Sequence, residues 1–211
     1  MKDNKGLVEE IIRSGMLVSP TIVKAFETVD RKDFVKPDYV DKAYDDRSLP
    51  IGMGQTISQP STVAFMLERL DIKKGEKILD VGSGSGWTTA LMSYLVGSGG
   101  EVIGIERLEP HVKFGNVNIK KYSYGKVSIL KTEGDVGYKE GAPYDKILVS
   151  AAAQEIPQTL TDQLKIGGIM VVPVKSSIYR VVKTGENEID HDEYYGFSFV
   201  PLVQDAIEDN V

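Results

Sequence analysis

The chain has 211 residues and no cysteine. That absence removes disulfides, thiolate nucleophiles and cysteine metal centres together. Histidine is nearly as scarce: His111 and His191 are the only two, too far apart in sequence for metal-ligand spacing. Both read as surface or structural groups, and no metal is expected. No apolar run reaches the ~18 residues that a membrane-crossing helix needs, and the opening MKDNKGLVEE lacks the apolar segment of a secretory leader. Nor is there a dense lysine/arginine run. With 25 basic and 31 acidic residues the net charge is −6, which counts against a bulk nucleic-acid binder. Two motifs are also missing. Without Gly-x-x-x-x-Gly-Lys-Ser/Thr there is no phosphate loop, and without Gly-x-Ser-x-Gly there is no nucleophile elbow for a serine hydrolase. The expectation is a cytoplasmic protein, read as a monomer, engaging neither membrane nor nucleic acid.

What is present is organised around Lys77–Thr88, KILDVGSGSGWT. A short apolar run containing one acid, Asp80, breaks into Gly82, Gly84 and Gly86, the pattern of a buried strand turning sharply into a helix. Glycine permits positive φ and close approach of a ligand, and the helix start offers unpaired backbone N–H groups. Downstream of Gly75, strands are expected at 77–81, 101–106, 126–130, 144–149 and 169–173, with helices near 86–96, 110–122 and 157–165. This alternation predicts an α/β fold with a largely parallel, Rossmann-like sheet and helices on both faces. Upstream, helices are expected at 5–14, 19–28 and 61–70, with short turns or helices over 30–46. Ser48–Pro60 carries two glycines and two prolines, which predicts an ordered loop of irregular backbone. Two further strands, 178–183 and 194–200, are expected to pair antiparallel at the sheet edge, joined by the polar stretch Thr184–Glu193. A chain of this size buries one substantial core. The reading is one domain over 1–211: an N-terminal helical and loop subregion (1–72), a cofactor-binding core (73–175) and C-terminal edge strands with a tail (176–211).

The glycines are spaced more tightly than a dinucleotide fingerprint, so a nucleoside held without a phosphate chain suits them better. Glu106, 20 residues after Gly86 and ending the second strand, stands where an acid accepts ribose hydroxyls. Asp80 would brace the loop or receive a cationic ligand group, and Asp135 would face an adenine amino group. Three acids converging from strand ends favour a ligand with a positive centre. An NAD-dependent dehydrogenase, a non-enzymatic adaptor, and a small-molecule or RNA methyltransferase are the competing readings. Trp87 reads equally as helix–sheet packing or as a cofactor wall, while Gln55 and Gln59 could simply bond within their own loop.

GQTISQP (Gly54–Pro60), ILDVGSGSGW, IGIERLE, APYDKILVSAAA and LKIGGIMVVPV occur in that order. Together they resemble the protein-L-isoaspartate O-methyltransferase family over most of the chain, from about Leu17 to Leu202. The resemblance implies a seven-stranded methyltransferase sheet and methyl transfer from S-adenosyl-L-methionine, leaving S-adenosyl-L-homocysteine. The implied acceptor is the free α-carboxylate of an L-isoaspartyl residue in a damaged protein or peptide, whose ester then collapses to a succinimide. It further implies that Gly82, Ser83, Gly84 and Gly86 wrap the methionine part of the cofactor, that Glu106 holds the ribose and Asp135 the adenine end, and that Arg107 and Leu108 border the purine. Ser58 is the implied catalytic hydroxyl beside the substrate carboxylate. Gln55, Thr56 and Ile57 shape its loop, and Ser150 and Ala151 line the same pocket. The chain departs from the family pattern at Val136 and Lys175, where glycine is usual, and at Trp87, where tyrosine is common.

Overall fold

The computed structural model describes residues 3–133 and 136–202. The N-terminal region begins with helices α1 (Asn4–Arg13), α2 (Pro20–Thr28) and α3 (Pro60–Leu70). Asp3 caps α1 by accepting the Gly6 N–H at 2.8 Å, a common way to satisfy a free helix-end donor. Leu7, Val8 and Ile11 turn inward, whereas Ile12 is exposed. Ser19 precedes Pro20 at the start of α2 as its sequence suggests. Its hydroxyl does not cap the helix; it donates to Glu68 of α3 at 2.6 Å, and the Val18 and Ser19 N–H groups donate to the same carboxylate. Two 3₁₀ turns, Arg31–Phe34 and Pro37–Lys42, follow α2.

Residues 48–60 are more regular than their composition implies. They contain a two-stranded antiparallel hairpin, β1 (Leu49–Gly52) and β2 (Gln55–Ile57). Gly52, Met53 and Gly54 all have positive φ at its tip, the conformation that lets a two-residue loop reverse a twisted ribbon. The methionine between the two glycines hides the turn in the sequence, since a residue with a Cβ is uncommon at positive φ.

The main sheet has seven strands: β3 (Lys77–Val81), β4 (Glu101–Glu106), β5 (Lys126–Lys131), β6 (Tyr144–Val149), β7 (Leu164–Val174), β8 (Ser177–Lys183) and β9 (Ile189–Tyr195). Their spatial order is β5-β4-β3-β6-β7-β8-β9. The first five are parallel to their neighbours, and β8 and β9 are antiparallel. Alternate residues of one strand enter separate cores: Ile78 joins the one under α1–α3, while Leu79 and Val81 join the other. The first core also takes α4 (Trp87–Val96) and α5 (Glu109–Ile119). The opposite face is covered by the four-residue α6 (Gln158–Thr161) and by segments carrying Val136, Tyr138 and Ile156. So helices lie on both faces, unequally.

The expected edge pair exists, but its last strand is β9 rather than 194–200. Ile189–Glu193, expected to belong to the polar connection Thr184–Glu193, are themselves strand and run on into Tyr194 and Tyr195. At an outer edge such a strand needs little apolar surface, and charged side chains there discourage pairing with another chain. Among the described residues no helix is long and apolar enough to cross a membrane.

Candidate active site

β3 sits where the strand order reverses, with β4 on one side and β6 on the other. In sheets of this kind ligands bind beyond the strand ends at that point. The chain leaves β3 by bending toward β4: the Gly82 and Ser83 N–H groups both donate to the Ile105 carbonyl, at 2.9 and 3.1 Å. Gly82, Gly84 and Gly86 all have positive φ. A Cβ on Gly84 would stand 3.2 Å from Ile51 Cδ1, so the β1–β2 hairpin rests directly on the glycine loop. A Cβ on Gly86 would meet Ile119 Cγ2 at 2.8 Å, because α5 packs tightly beneath the loop. Asn118, also on α5, donates to the Ser85 carbonyl at 2.9 Å.

These elements enclose a cleft of about 950 Å3, open mouth included. Gly82, Ser83, Gly84 and Ser85 form its floor, Glu106 and Arg107 one end, and Gln55, Thr56, Ile57 and Ser58 a wall, with Ser150 and Ala151 completing it. The sequence had assembled all of these except Ser85. Ile51, Val81, Trp87, Thr88, Ile105, Thr132, Val136 and residues 200–202 line it too. Val200 and Leu202 arrive because Ala152 holds them: its N–H donates to the Val200 carbonyl and its carbonyl accepts from Leu202 N–H, both at 2.8 Å. No local motif announces that pairing.

Three expected residues, Gly86, Asp80 and Leu108, stand differently. Gly86 is turned toward α5 and does not line the cleft. Asp80 is fully buried behind the loop, where its Oδ2 accepts from Thr88 at 2.8 Å and Thr89 at 2.6 Å. Its Oδ1 has no protein partner. Burial raises the Asp80 pKa to about 6, the two threonine hydroxyls oppose that rise, and the nearby Glu106 charge adds to it. Asp135 lies outside the described residues. Leu108 is absent from the lining, although its N–H donates to Glu106 Oε1 at 2.9 Å.

Glu106 is 8% exposed at the cleft end. Each oxygen accepts one backbone N–H, from Gly84 or Leu108, and keeps lone-pair capacity for another donor. A vicinal diol is one ligand group that could use both oxygens. Trp87 proves to be packing and wall together: its ring meets Phe26 edge-on at 5.5 Å and also borders the cleft. His111 is buried on α5, outside the cleft, with Nδ1 unpartnered.

A glycine loop after the first strand of a reversing sheet, with an acid ending the second, defines a methyltransferase-type α/β protein built to hold a nucleoside cofactor. Comparison narrows the class. The profile of the Protein-L-isoaspartate(D-aspartate) O-methyltransferase family matches residues 1–207, and the chain belongs to that family. It is 39% identical over 204 residues to the protein-L-isoaspartate O-methyltransferase of Ignicoccus hospitalis, covering 94% of this chain and 96% of that one. It is 43% identical over 202 residues to the Methanopyrus kandleri protein of the same name, covering 93% and 89%. Its fold superposes with a TM-score of 0.86 and 28% identity on a Plasmodium falciparum chain assigned to the same activity and crystallised with S-adenosyl-L-homocysteine. That match covers 97% of this chain and 100% of the other.

Proposed function

We propose that the cleft transfers a methyl group from S-adenosyl-L-methionine to the free α-carboxylate of L-isoaspartyl residues in damaged proteins and peptides. The observation that carries this reading is the seating of the hairpin on the glycine loop: Ile51 meets Gly84, so the Gln55–Ser58 wall and the cofactor floor are two sides of one space. The residues present fit the cofactor. Glu106 would hold the ribose, Gly82, Ser83 and Gly84 the methionine part, and Arg107 and Val136 the purine end, with Asp135 assigned to the adenine. Asp80, behind the loop, contributes negative charge rather than contact. When bound, the cofactor supplies a methyl group made electrophilic by a sulfonium.

The chain's own task is small. A free α-carboxylate, with a reference pKa of roughly 3.3–3.7, is ionised at neutral pH and needs no general base. Alignment of the reacting atoms can contribute roughly 7–11 kcal/mol in favourable intramolecular cases. Ser58 suits this role because a hydroxyl donates to one carboxylate oxygen and leaves the other free to attack. Thr56, Ile57, Ser150 and Ala151 bound the space beside it. Opposite charges cancel as the reaction proceeds, so the partly apolar wall of Ile51, Ile57, Val200 and Leu202 favours it by keeping water out. The substrate lies extended between the β1–β2 hairpin and residues 197–202, recognised through its main chain and therefore tolerant of sequence. One chain supplies every wall described, which supports a monomer acting as a single domain over 1–211. The negative charge and the lack of a long apolar helix among the described residues support a cytoplasmic setting.

Incubating the protein and cofactor with a purified isoaspartyl peptide tests the reading. Chromatography should show succinimide followed by partial recovery of the normal aspartyl peptide. An isoaspartyl peptide that returns unaltered would refute it.

A further inference from the structure

Arg31 is the largest fully buried side chain in the molecule's described part, and no carboxylate is bonded to it. Its two Nη atoms donate to backbone carbonyls from two segments, while the equally buried Nε has no partner. Nη1 donates to Ala43 at 2.7 Å and Asp45 at 3.2 Å; Nη2 donates to Arg47 at 2.8 Å and Ser58 at 3.1 Å. The planar group also lies over Trp87, 5.4 Å from the ring centroid. Residues 43–47 thus form a strap between Arg31 and the hairpin's exit. Asp46, within that strap, also grips the same exit: it accepts from the Ser61 N–H at 2.8 Å and from Gln59 Nε2 at 3.3 Å. Ser58 is therefore held through its own carbonyl and through Gln59 and Ser61 just beyond it.

Burying a cation is costly unless its hydrogen bonds are well made. Desolvation lowers the Arg31 pKa to about 10, opposed by the charges of Asp46 and Asp45, so the group stays cationic at neutral pH. A rigid five-donor fork can bridge two segments at fixed geometry. Lysine, a flexible point donor, cannot. Nothing in this arrangement touches the cofactor floor except through the face of Trp87.

We propose that Arg31 is a positioning residue: with Asp46 it clamps the strap and sets where the Ser58 hydroxyl stands. The inference rests on the methyl-transfer reading above for its kinetic consequence, and on geometry alone for its structural one. Two measurements on the full-length protein separate these. In Arg31→Lys, amide exchange at residues 56–59 should quicken at least tenfold, while exchange at 82–86 stays within twofold. In parallel, Arg31→Lys should lower kcat/KM for an isoaspartyl peptide at least tenfold in the wild-type background and less than twofold in Ser58→Ala, with S-adenosyl-L-homocysteine Kd within twofold throughout. Such non-additivity marks two residues acting through one another. Equal losses in both backgrounds, or loosened cofactor binding in step with turnover, would overturn the proposal. If Arg31→Lys does not fold, Asp46→Asn carries the same pair of measurements, since it removes the charge facing Arg31 and keeps an oxygen for Ser61. A wild-type protein that failed to methylate the peptide would defeat the assigned reaction, and the exchange result would then decide the clamp by itself.

Discussion

The backbone N–H of Gly84 donates to Glu106 Oε2 at 3.1 Å, tying the acid at the end of β4 to the loop after β3. The other oxygen takes the Leu108 N–H. Glu106 therefore shapes the floor it helps to form. Glu106→Gln should raise the Kd for S-adenosyl-L-homocysteine at least tenfold, because the amide nitrogen would face an N–H where a carboxylate oxygen accepted one. Trp87, the one tryptophan in the chain, borders the cleft and supplies an intrinsic fluorescence signal for the titration.

Asp80 makes a prediction about pH. Its pKa is raised to about 6 in the fold, first by burial, against ~3.9 in an unfolded chain. The native state therefore holds this proton more tightly than the unfolded state does. Its contribution to stability is largest below about pH 4, declines as pH rises through about 6, and is flat above that. The span corresponds to about 3 kcal/mol. Asp33 and Asp145, whose pKa values are lowered in the fold, push the other way, so the signal is a difference. Relative to Asp80→Asn, the wild type should lose stability from pH 4 to pH 6 in denaturant titrations. A difference that does not change with pH would refute it.

Lys175 occupies the β7–β8 turn with φ +54°, where a side chain costs roughly 1–2 kcal/mol relative to glycine. Its N–H donates to Ala153 at 3.0 Å, a bond glycine keeps. Allowing for the greater freedom of glycine in the unfolded chain, Lys175→Gly should stabilise by about 1 kcal/mol. Calorimetry should record a Tm higher by about 2–4 °C.

Ser58→Ala removes one hydroxyl from the cleft wall and leaves the carbonyl that Arg31 holds. Cofactor affinity should stay within twofold, while kcat/KM for an isoaspartyl peptide falls at least a hundredfold. Unchanged kcat/KM would take Ser58 out of the mechanism.

The parallel half of the sheet was legible because β3, β4 and β6 are buried on both faces and read as nearly continuous apolar runs. β9 was not: an outer strand of IDHDEYY has little apolar content and looks like a connection. The helix expected over 157–165 shrinks to four residues, since Leu164 and its successors are drawn into β7. At the site, Glu106 and the glycine loop follow from spacing, whereas Ser58 stands out only within GQTISQP. Arg31 was invisible. In RKDF it has the look of any surface charge, and its burial depends on carbonyls 12 to 27 residues away. The 197–202 segment was expected beside the peptide, but its pairing with Ala152, which brings Val200 and Leu202 to the cleft, is encoded by no local pattern.

The most direct measurement uses methyl-labelled S-adenosyl-L-methionine and two peptides identical except for L-isoaspartate or ordinary aspartate at one position. Base-labile label on the isoaspartyl peptide alone is the predicted result. Equal labelling of both peptides, or label that survives mild base, would contradict the account.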